Sequence, residues 1–498
     1  MLRKFRVVAA SLIFIGITLL FLDFTGSIHT WLGWLAKIQF LPAVLSLNIV
    51  VIAALCIATL LFGRLYCSVI CPLGIMQDII SWWRGKRKKK DKYRFSYHKA
   101  HTWIRICVLV LFIATMVAGF ASIAALIAPY SAYGRIISSL LAPVYQLGNN
   151  ILASISEAAG SYAFYPKEVW LKSLPVTIVA IFTFIILFIS AWKDGRIWCN
   201  SICPVGTILG FFSRWSLFAP VIDDSKCRKC GLCGRQCKSS CIDMKAHEID
   251  YSRCVACMDC IDTCREGAIR YTLRWKKRKE ENKTLLDKKE NGRRKFIASS
   301  IAITGTVLMK AQDMKVDSGL AKLKPRQNPQ RATRISPPGS WSLNNLESHC
   351  TACQLCISVC PNNVLTPSVT LDRFMQPEMN YSKGYCRPEC TKCSEVCPAG
   401  AIRPITREEK TSIQIGHAVV DYDLCIANSM DISCGNCARH CPAGAIVMIK
   451  KSTGVATSVR MPSVMENRCI GCGACENLCP VRPISAIHVE GHLTHKAI

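Results

Sequence analysis

Two runs of cysteines decide the fold of this chain, and they read Cys227-x2-Cys230-x2-Cys233-x3-Cys237 and Cys254-x2-Cys257-x2-Cys260-x3-Cys264. At this spacing, three cysteines of one run hold a [4Fe–4S] cluster, and the fourth reaches the cluster of the other run. Thiolates suit this role because the iron is a soft site. The two runs therefore predict two clusters. Cys241 stands four residues after Cys237, and we expect Cys237 to be the ligand of this pair.

Four further runs lie between residues 341 and 498, and the fourth cysteine of each run precedes a proline. The outer two runs have the regular spacing, whereas the middle two have a longer first spacer. Their sixteen cysteines are Cys350, Cys353, Cys356, Cys360, Cys386, Cys390, Cys393, Cys397, Cys425, Cys434, Cys437, Cys441, Cys469, Cys472, Cys475 and Cys479. The runs predict four more clusters, which makes six in all. They also predict two pairs of runs, outer with outer and middle with middle.

Disulfides and zinc are the alternatives for a chain with 31 cysteines. Neighbouring cysteines in runs this tight cannot all meet disulfide geometry, which argues against disulfides. Four-cysteine zinc sites usually combine two separated C-x2-C pairs, whereas single runs here carry all four cysteines. Iron–sulfur binding is therefore the interpretation that we favour.

The first 220 residues contain four long apolar runs, at residues 5–24, 40–62, 103–128 and 171–192. Each is near the ~20 residues that a bilayer requires. The net charge of +29 is concentrated beside these runs, above all in the loop from Arg84 to Arg105, which is typical of the cytoplasmic side of a membrane protein. We therefore expect a multi-pass protein of the inner membrane that contacts lipid and does not bind nucleic acid.

A repeat divides this region into two halves. Residues 63–74 recur as residues 195–206, and both copies read G-R-x-aromatic-C-x3-C-P-x-G. The repeat predicts that its four cysteines form one cofactor-binding site at the cytoplasmic face, namely Cys67, Cys71, Cys199 and Cys203. The alternative is a structural turn in which the cysteines are incidental.

Polar side chains near the membrane interfaces offer partners for a quinone such as menaquinone, and they are His29, His101, Trp31, Trp34 and Trp103. The alternative for each tryptophan is the ordinary aromatic belt of a membrane protein.

The expected fold is a membrane α-helical domain with four helices and a two-fold internal repeat, followed by α+β ferredoxin-like domains. The predicted divisions are a helical domain (1–220), a two-cluster domain (221–272), a basic linker (273–295), an apolar segment (296–310), a second linker (311–340) and a four-cluster domain (341–498). Arg293 and Arg294 precede the apolar segment, as in a Tat export signal, or that segment is a short fifth helix. The four-cluster domain is accordingly expected outside the cytoplasm and the two-cluster domain inside it.

These features resemble two known families. Residues 1–271 are similar to NapH, with four helices, two C-x3-C-P motifs and a two-cluster ferredoxin, and residues 291–490 are similar to NapG, with an export signal and four clusters. The resemblance implies a natural fusion of the two, and a role as a quinol dehydrogenase component that passes electrons to a terminal reductase or cytochrome.

The expected function is electron transfer from menaquinol through [4Fe–4S] clusters to an extracytoplasmic reductase. Two alternatives remain: an iron–sulfur maturation or regulatory factor, and a carrier whose clusters all lie in the cytoplasm. No P-loop, dinucleotide fingerprint or nucleophile constellation indicates chemistry on a further substrate.

Overall fold

The computed structural model describes residues 2–23, 25–87, 95–161, 164–166, 173–274, 316–317, 321–322, 326–451 and 459–498. The apolar segment 296–310, Arg293 and Arg294 lie outside the described residues, so the predicted export signal is not tested. We call residues 2–217 the helical domain, residues 218–274 module 1 and residues 326–498 module 2.

The helical domain is built from α-helices in the residues that the structure describes. In chain order they are α1 (Leu2–Leu22), α2 (Ser27–Leu32), α3 (Trp34–Lys37), α4 (Phe40–Leu45), α5 (Ile49–Phe62), α6 (Leu65–Val69), α7 (Pro72–Arg87), α8 (Thr102–Val117), α9 (Ala121–Ile127), α10 (Pro129–Ile136), α11 (Ala142–Ala158), α12 (Leu174–Asp194), α13 (Ile197–Ser201) and α14 (Pro204–Ser213), with a π-helical turn at Ile137–Leu141.

Both modules combine short helices with two-stranded antiparallel sheets. Module 1 contains β1 (Phe218–Ile222), α15 (Leu232–Arg235), β2 (Ile242–Asp243), β3 (Glu248–Ile249), α16 (Asp259–Thr263) and β4 (Ile269–Leu273). An isolated hairpin, β5 (Val316–Asp317) and β6 (Ala321–Lys322), precedes module 2. Module 2 contains α17 (Leu343–His349), α18 (Leu355–Val359), β7 (Leu365–Pro367), β8 (Pro377–Met379), α19 (Lys392–Val396), α20 (Arg407–Ser412), β9 (Ile413–Val420), α21 (Ile426–Ser429), α22 (Asn436–Arg439), β10 (Ile446–Lys450), β11 (Arg460–Val464), α23 (Ala474–Leu478) and β12 (Ile487–Ala497), with 3-10 turns at Leu371–Arg373 and Glu466–Arg468. The paired strands are β1–β4, β2–β3, β5–β6, β7–β8, β9–β12 and β10–β11.

Two of the four predicted spans are single helices, and the other two are broken. Among the described residues, α1 and α12 have the length and apolar composition of a membrane span, with 21 residues each. The second predicted span is divided into α4 and α5 at Leu47, whose φ is +53°. The third is divided into α8 and α9 at Gly119, whose φ is +82°. Apolar composition does not reveal such turns, and the four-helix membrane domain stays a prediction.

Module 1 contacts one set of helix ends. The Arg3 guanidinium at the start of α1 pairs with Asp259, and the Tyr271 hydroxyl donates to the carbonyl of Phe62 at the end of α5. Arg105 in the first turn of α8 donates to Ser252 of module 1. Just after α12, the backbone amide of Arg196 donates to the carbonyl of Lys238. The four helices therefore meet module 1 at one end of the bundle.

Module 2 contacts the opposite ends. Lys392 of α19 donates to the carbonyl of Thr25, just after α1. Ser122 of α9, which follows α8, donates to the carbonyl of Asp372. Val176 in the first turn of α12 packs in one buried cluster with residues of module 2. The helical domain therefore stands between the two modules.

The sides of these helices carry many exposed apolar side chains. Phe5 on α1 is 76% exposed, Val110 on α8 is 60% exposed and Phe182 on α12 is 65% exposed. By contrast, all eight residues of α10 are buried, because this helix packs against α7 and α12 inside the bundle. An apolar belt of this kind suits contact with lipid.

Candidate iron–sulfur centres

The cysteines of the six runs gather into six groups of four, each with three cysteines of one run and the fourth of its partner run. We call them tetrad A (Cys227, Cys230, Cys233, Cys264), tetrad B (Cys237, Cys254, Cys257, Cys260), tetrad C (Cys350, Cys353, Cys356, Cys397), tetrad D (Cys360, Cys386, Cys390, Cys393), tetrad E (Cys425, Cys434, Cys437, Cys479) and tetrad F (Cys441, Cys469, Cys472, Cys475). The exchange of the fourth cysteine agrees with the ferredoxin rule.

The predicted pairing of the runs in module 2 is wrong. The first run exchanges its fourth cysteine with the second, because Cys397 lies beside Cys350, Cys353 and Cys356. The third run exchanges with the fourth, because Cys479 lines the same cavity as Cys425, Cys434 and Cys437. Runs that are neighbours in sequence thus form each pair.

Cavities lie among the cysteines of four of the tetrads. The cavity among the cysteines of tetrad A has a volume of about 220 Å³. Smaller cavities lie among the cysteines of tetrads D, E and F. In tetrad B, the sulfur of Cys260 lies within electrostatic range of those of Cys254, Cys257 and Cys237.

The backbone around the second cysteine of a run is bent sharply. The residue that follows this cysteine has a positive φ in five of the six runs: Gly231, Met258, Gln354, Gly435 and Gly473. This residue precedes a short helix that carries the third cysteine. The positive φ turns the chain back on itself, which lets a loop close around a cube.

Backbone amides point at several of the sulfurs. The amide of Ala352 donates to Cys350 Sγ at 3.4 Å, that of Ile402 to Cys397 Sγ at 3.5 Å, and that of Ala445 to Cys441 Sγ at 3.3 Å. Such bonds stabilise the thiolate form, and they also raise the reduction potential of a cluster.

Tetrad C faces a buried arginine that needs an anion. Arg135 of α10 is 0% exposed, and it donates to the carbonyls of Ala125 and Leu126 at 2.7 and 3.0 Å. In the described part of the chain no ion pair joins it to a carboxylate, and the thiol of Cys353 lies within its electrostatic range. An unpaired buried cation is costly, so thiolate ligands in tetrad C would supply the missing negative charge.

Across the described ranges, no three Cys, His, Asp or Glu side chains are close enough to share a single metal ion. A cubane places each thiolate on a different iron, which separates the four sulfurs more widely than the ligands of one ion. The tetrads therefore suit [4Fe–4S] clusters, each of which would undergo one-electron redox chemistry.

Cys241 lies inside module 1 but outside the expected ligand set. Its Sγ is 3.4 Å from Cys237 Sγ, and it interacts with Cys237 and Cys254. Cys237 in turn lies within range of both Cys257 and Cys260. The geometry thus favours Cys237 as the fourth ligand of tetrad B, as the sequence predicts.

We expect Cys237→Ser to remove the cluster of tetrad B and Cys241→Ser to retain it. The reason is that Cys237 lies within electrostatic range of Cys254, Cys257 and Cys260. The measurement is iron content of the anaerobically purified full chain, which should fall by about four atoms for Cys237→Ser alone. Equal loss in both variants would contradict this assignment.

The four cysteines of the two repeats meet in a second kind of site, which we call the helical tetrad: Cys67, Cys71, Cys199 and Cys203. Each is 4% exposed, and their sulfurs lie within electrostatic range of one another. Burial and the surrounding side chains show that they are brought together by the fold, as the repeat predicts.

Each repeat contributes an arginine that donates a hydrogen bond to the other half of the helical tetrad. Arg64 of the first repeat donates to the carbonyl of Cys199 at 3.2 Å, and Arg196 of the second donates to the carbonyl of Cys67 at 2.6 Å. A Cβ on Gly206 would lie 2.2 Å from the Cys199 carbonyl oxygen, so glycine is required where α14 begins. The arginine of the repeat is thus explained by its bond to the other half, and the glycine after the proline is explained by its close approach to the cysteine carbonyl.

A charge network ties the helical tetrad to module 1. Asp78 of α7 pairs with Arg196 at 2.7 Å, with Arg6 at 3.2 Å and with Lys238 at 3.4 Å. Lys238 also pairs with Asp259 at 2.8 Å. Burial alone would raise the pKa of Asp78, but Arg196 and Lys238 outweigh it and hold the pKa below its usual range. Lys238, which replaces the usual proline after Cys237, is thus a docking residue.

The residues named for quinone binding lie in different environments. Trp31, Trp34 and Trp103 are 82%, 55% and 78% exposed, as in an aromatic belt, and His101 is exposed. His29 is partly buried beside Asp23, with a side chain that is 9% exposed and Nδ1 3.7 Å from the carboxylate. Sequence reasoning missed Asp23, because a single aspartate after an apolar run carries no motif.

Profiles of 4Fe-4S binding domains match residues 45–91, 176–220 and 346–366, and a profile of a 4Fe-4S dicluster domain matches residues 431–482. The first profile thus covers both halves of the helical tetrad. The ferredoxin-type protein NapG of Escherichia coli is 31% identical over 202 residues, which are 39% of this chain and 83% of NapG. The chain belongs to the NapG family of ferredoxin-type proteins.

Two other relatives match this NapG-type chain. The ferredoxin-type protein NapH of Escherichia coli is 26% identical over 243 residues, which are 47% of this chain and 70% of NapH. An uncharacterized protein of Methanocaldococcus jannaschii is 37% identical over 84 residues, and the match spans 17% of this chain and only 33% of that protein. The chain is thus an iron–sulfur electron-transfer protein of ferredoxin type, and likeness to both NapG and NapH makes a fusion plausible.

Proposed function

We propose that this chain is a membrane-bound relay whose tetrads A to F hold six [4Fe–4S] clusters, and that it oxidises menaquinol and passes the electrons through the clusters of module 2 to an extracytoplasmic reductase. The observation that carries the proposal is the position of tetrads C and D against one end of an apolar helical bundle. A quinol that diffuses in the bilayer would reach module 2 there without entering water.

The sidedness of the proposal follows from the helix ends. Module 1 and module 2 contact opposite ends of the bundle, and α1 is about 32 Å long at 1.5 Å per residue. That length matches the ~30 Å hydrocarbon core of a bilayer. Positive charges in the first two turns of α1 and after α7 favour the cytoplasm for the module 1 side. Module 2 would then stand outside the cytoplasm.

A tag at Ile498 tests this sidedness. In intact spheroplasts the tag should be cleaved by an added protease, whereas a tag before Leu2 should be protected. Protection of both tags would instead favour the carrier whose clusters are all cytoplasmic.

The Asp23–His29 pair is the group best suited to accept a proton from quinol. Both ring nitrogens of His29 are buried without a hydrogen-bond partner among the described residues. Asp23 accepts backbone hydrogen bonds from Gly26 and Ile28, each at 2.8 Å, which fixes its carboxylate. The adjacent Thr25 carbonyl accepts a bond from Lys392, which lies between Cys390 and Cys393 of tetrad D. A proton acceptor and an electron acceptor thus lie side by side.

We expect His29→Gln to slow the reduction of the clusters by menaquinol by roughly 10²-fold or more, the size typical of a lost general base. Dithionite should still reduce the clusters of this variant fully, because no cysteine is altered. His101→Gln, an exposed histidine at the other end of the bundle, is the matched control and should behave as wild type. A wild-type rate in His29→Gln would remove this residue from the quinol site.

A further inference from the structure

We propose that the helical tetrad is a seventh iron–sulfur site, and that it is the station through which electrons pass between module 1 and module 2. The inference rests on the proposed electron-transfer function and adds a route that does not need quinol. It joins the two ends of the molecule through the centre of the bundle.

A buried positive charge lies beside the helical tetrad. Arg64 is 0% exposed and makes no ion pair with a carboxylate in the described ranges. Its Nη1 donates to Asn200 at 2.8 Å, its Nη2 lies 3.8 Å from Cys67 Sγ, and its Nε has no partner there. A buried guanidinium without a carboxylate requires another anion nearby. Four thiolates that share a cluster would provide that negative charge.

Two sulfurs of the helical tetrad accept hydrogen bonds from nitrogen donors. Gln77 is 0% exposed and donates from Nε2 to Cys199 Sγ at 3.3 Å. The backbone amide of Gly206 donates to Cys203 Sγ at 3.4 Å, in the same manner as the amides at tetrads C and F. Such donors favour the thiolate form of a sulfur over the thiol, and iron ligation requires thiolates.

Both repeats of the helical tetrad also contact module 1. Arg64 Nη1 also donates to the carbonyl of Ser252 at 3.1 Å, and Ser252 stands two residues before Cys254 of tetrad B. On the other half, the amide of Arg196 donates to the carbonyl of Lys238, the residue after Cys237 of tetrad B, at 2.9 Å. Both repeats are thus hydrogen-bonded to the loops that carry tetrad B.

The helical tetrad is connected to module 2 through buried side chains. Tyr66, Cys71, Tyr133, Tyr130 and Cys353 belong to one continuous buried cluster. Tyr130 is 2% exposed, lies within electrostatic range of Cys353 and has no hydrogen-bond partner for its hydroxyl in the described residues. This cluster leads from the helical tetrad along α10 to tetrad C.

The chemistry of the route is one-electron transfer. One electron enters module 1 from a reduced ferredoxin-class donor, moves through the residues of the helical tetrad, and leaves through module 2 to the extracytoplasmic reductase. No bond forms or breaks and no proton is required, so the route can lie in the apolar interior of the bundle.

Quinone-free liposomes that contain the full chain test the route. Dithionite is added outside and ferricyanide is enclosed, so that only an electron path through the protein joins them. We expect wild type and the control Cys56→Ser/Cys107→Ser, whose two cysteines lie outside every tetrad, to reduce ferricyanide at equal rates. The rate of Cys71→Ser/Cys203→Ser should fall to that of empty liposomes. A wild-type rate in Cys71→Ser/Cys203→Ser overturns the inference.

The iron content of the wild-type chain gives a second readout, for which no variant has to fold. Seven sites predict about 28 iron atoms in the wild-type chain, whereas six predict about 24. A wild-type value of about 24, with tetrads A to F filled, overturns the inference and leaves the proposed function intact. Reduction of module 2 by menaquinol in Cys71→Ser/Cys203→Ser is expected to persist, which separates this route from the quinol reaction.

Discussion

Replacing Cys397 by serine should abolish electron transfer from menaquinol, although this cysteine belongs to the second run of module 2 by sequence. Cys397 lies beside Cys350, Cys353 and Cys356, so the variant should lose the cluster of tetrad C, which is the one against Tyr130. Tetrad D keeps its three cysteines of the second run, and Cys360 completes it. The expected loss is about four iron atoms, the content of one cluster.

The matched control is Cys107→Ser, because Cys107 is an exposed cysteine on α8 and belongs to no tetrad. Iron content, together with electron paramagnetic resonance of the reduced protein, reports the change. Retention of the tetrad C signal in Cys397→Ser would contradict the exchange of fourth cysteines between the first and second runs.

Replacing Asp78 by asparagine should destabilise the full chain by about 3–5 kcal/mol, the usual cost of removing one member of a buried ion network. Asp78 is the carboxylate that Arg6, Arg196 and Lys238 share, and the side chain of Arg196 is 0% exposed. The variant would leave these cations without that partner at the junction of the helical domain and module 1. Thermal unfolding in detergent is the measurement, and Asp262→Asn, which removes a partly exposed partner of Arg3, is the control.

The pH dependence of this network has a definite sign. The folded-state pKa of Asp78 is lowered, so its contribution is complete above the ordinary pKa of an aspartate and is lost as the pH falls through the lowered value. Between neutral pH and about pH 5, the difference in stability between wild type and Asp78→Asn should therefore stay constant. A difference that vanishes in this range would contradict the network.

The cysteine spacing predicts the tetrads because cluster binding is a local property of a short loop. The same spacing does not reveal which runs pair, since that depends on how α18 and α19 pack in module 2. The repeat predicts that Cys67 and Cys203 approach each other, because two copies of one motif suggest a two-fold arrangement. The role of its arginines becomes visible only when each is seen to cross into the other half.

The first and fourth apolar runs predict α1 and α12 well, because composition alone identifies a long apolar helix. They do not reveal the break at Leu47, since a single left-handed residue leaves hydropathy unchanged. Nor does hydropathy reveal that α10 is buried inside the bundle, because its tyrosines and Arg135 read as an ordinary polar segment. These residues become informative only through their packing.

The most direct measurement of the central claim is anaerobic mixing of the purified full chain with a menaquinol, followed by visible absorbance and electron paramagnetic resonance. The account predicts that menaquinol bleaches the cluster absorbance, and that the reduced signals of tetrads C and D are the first to form. Clusters that dithionite reduces but menaquinol leaves oxidised would contradict the claim that this protein takes its electrons from quinol.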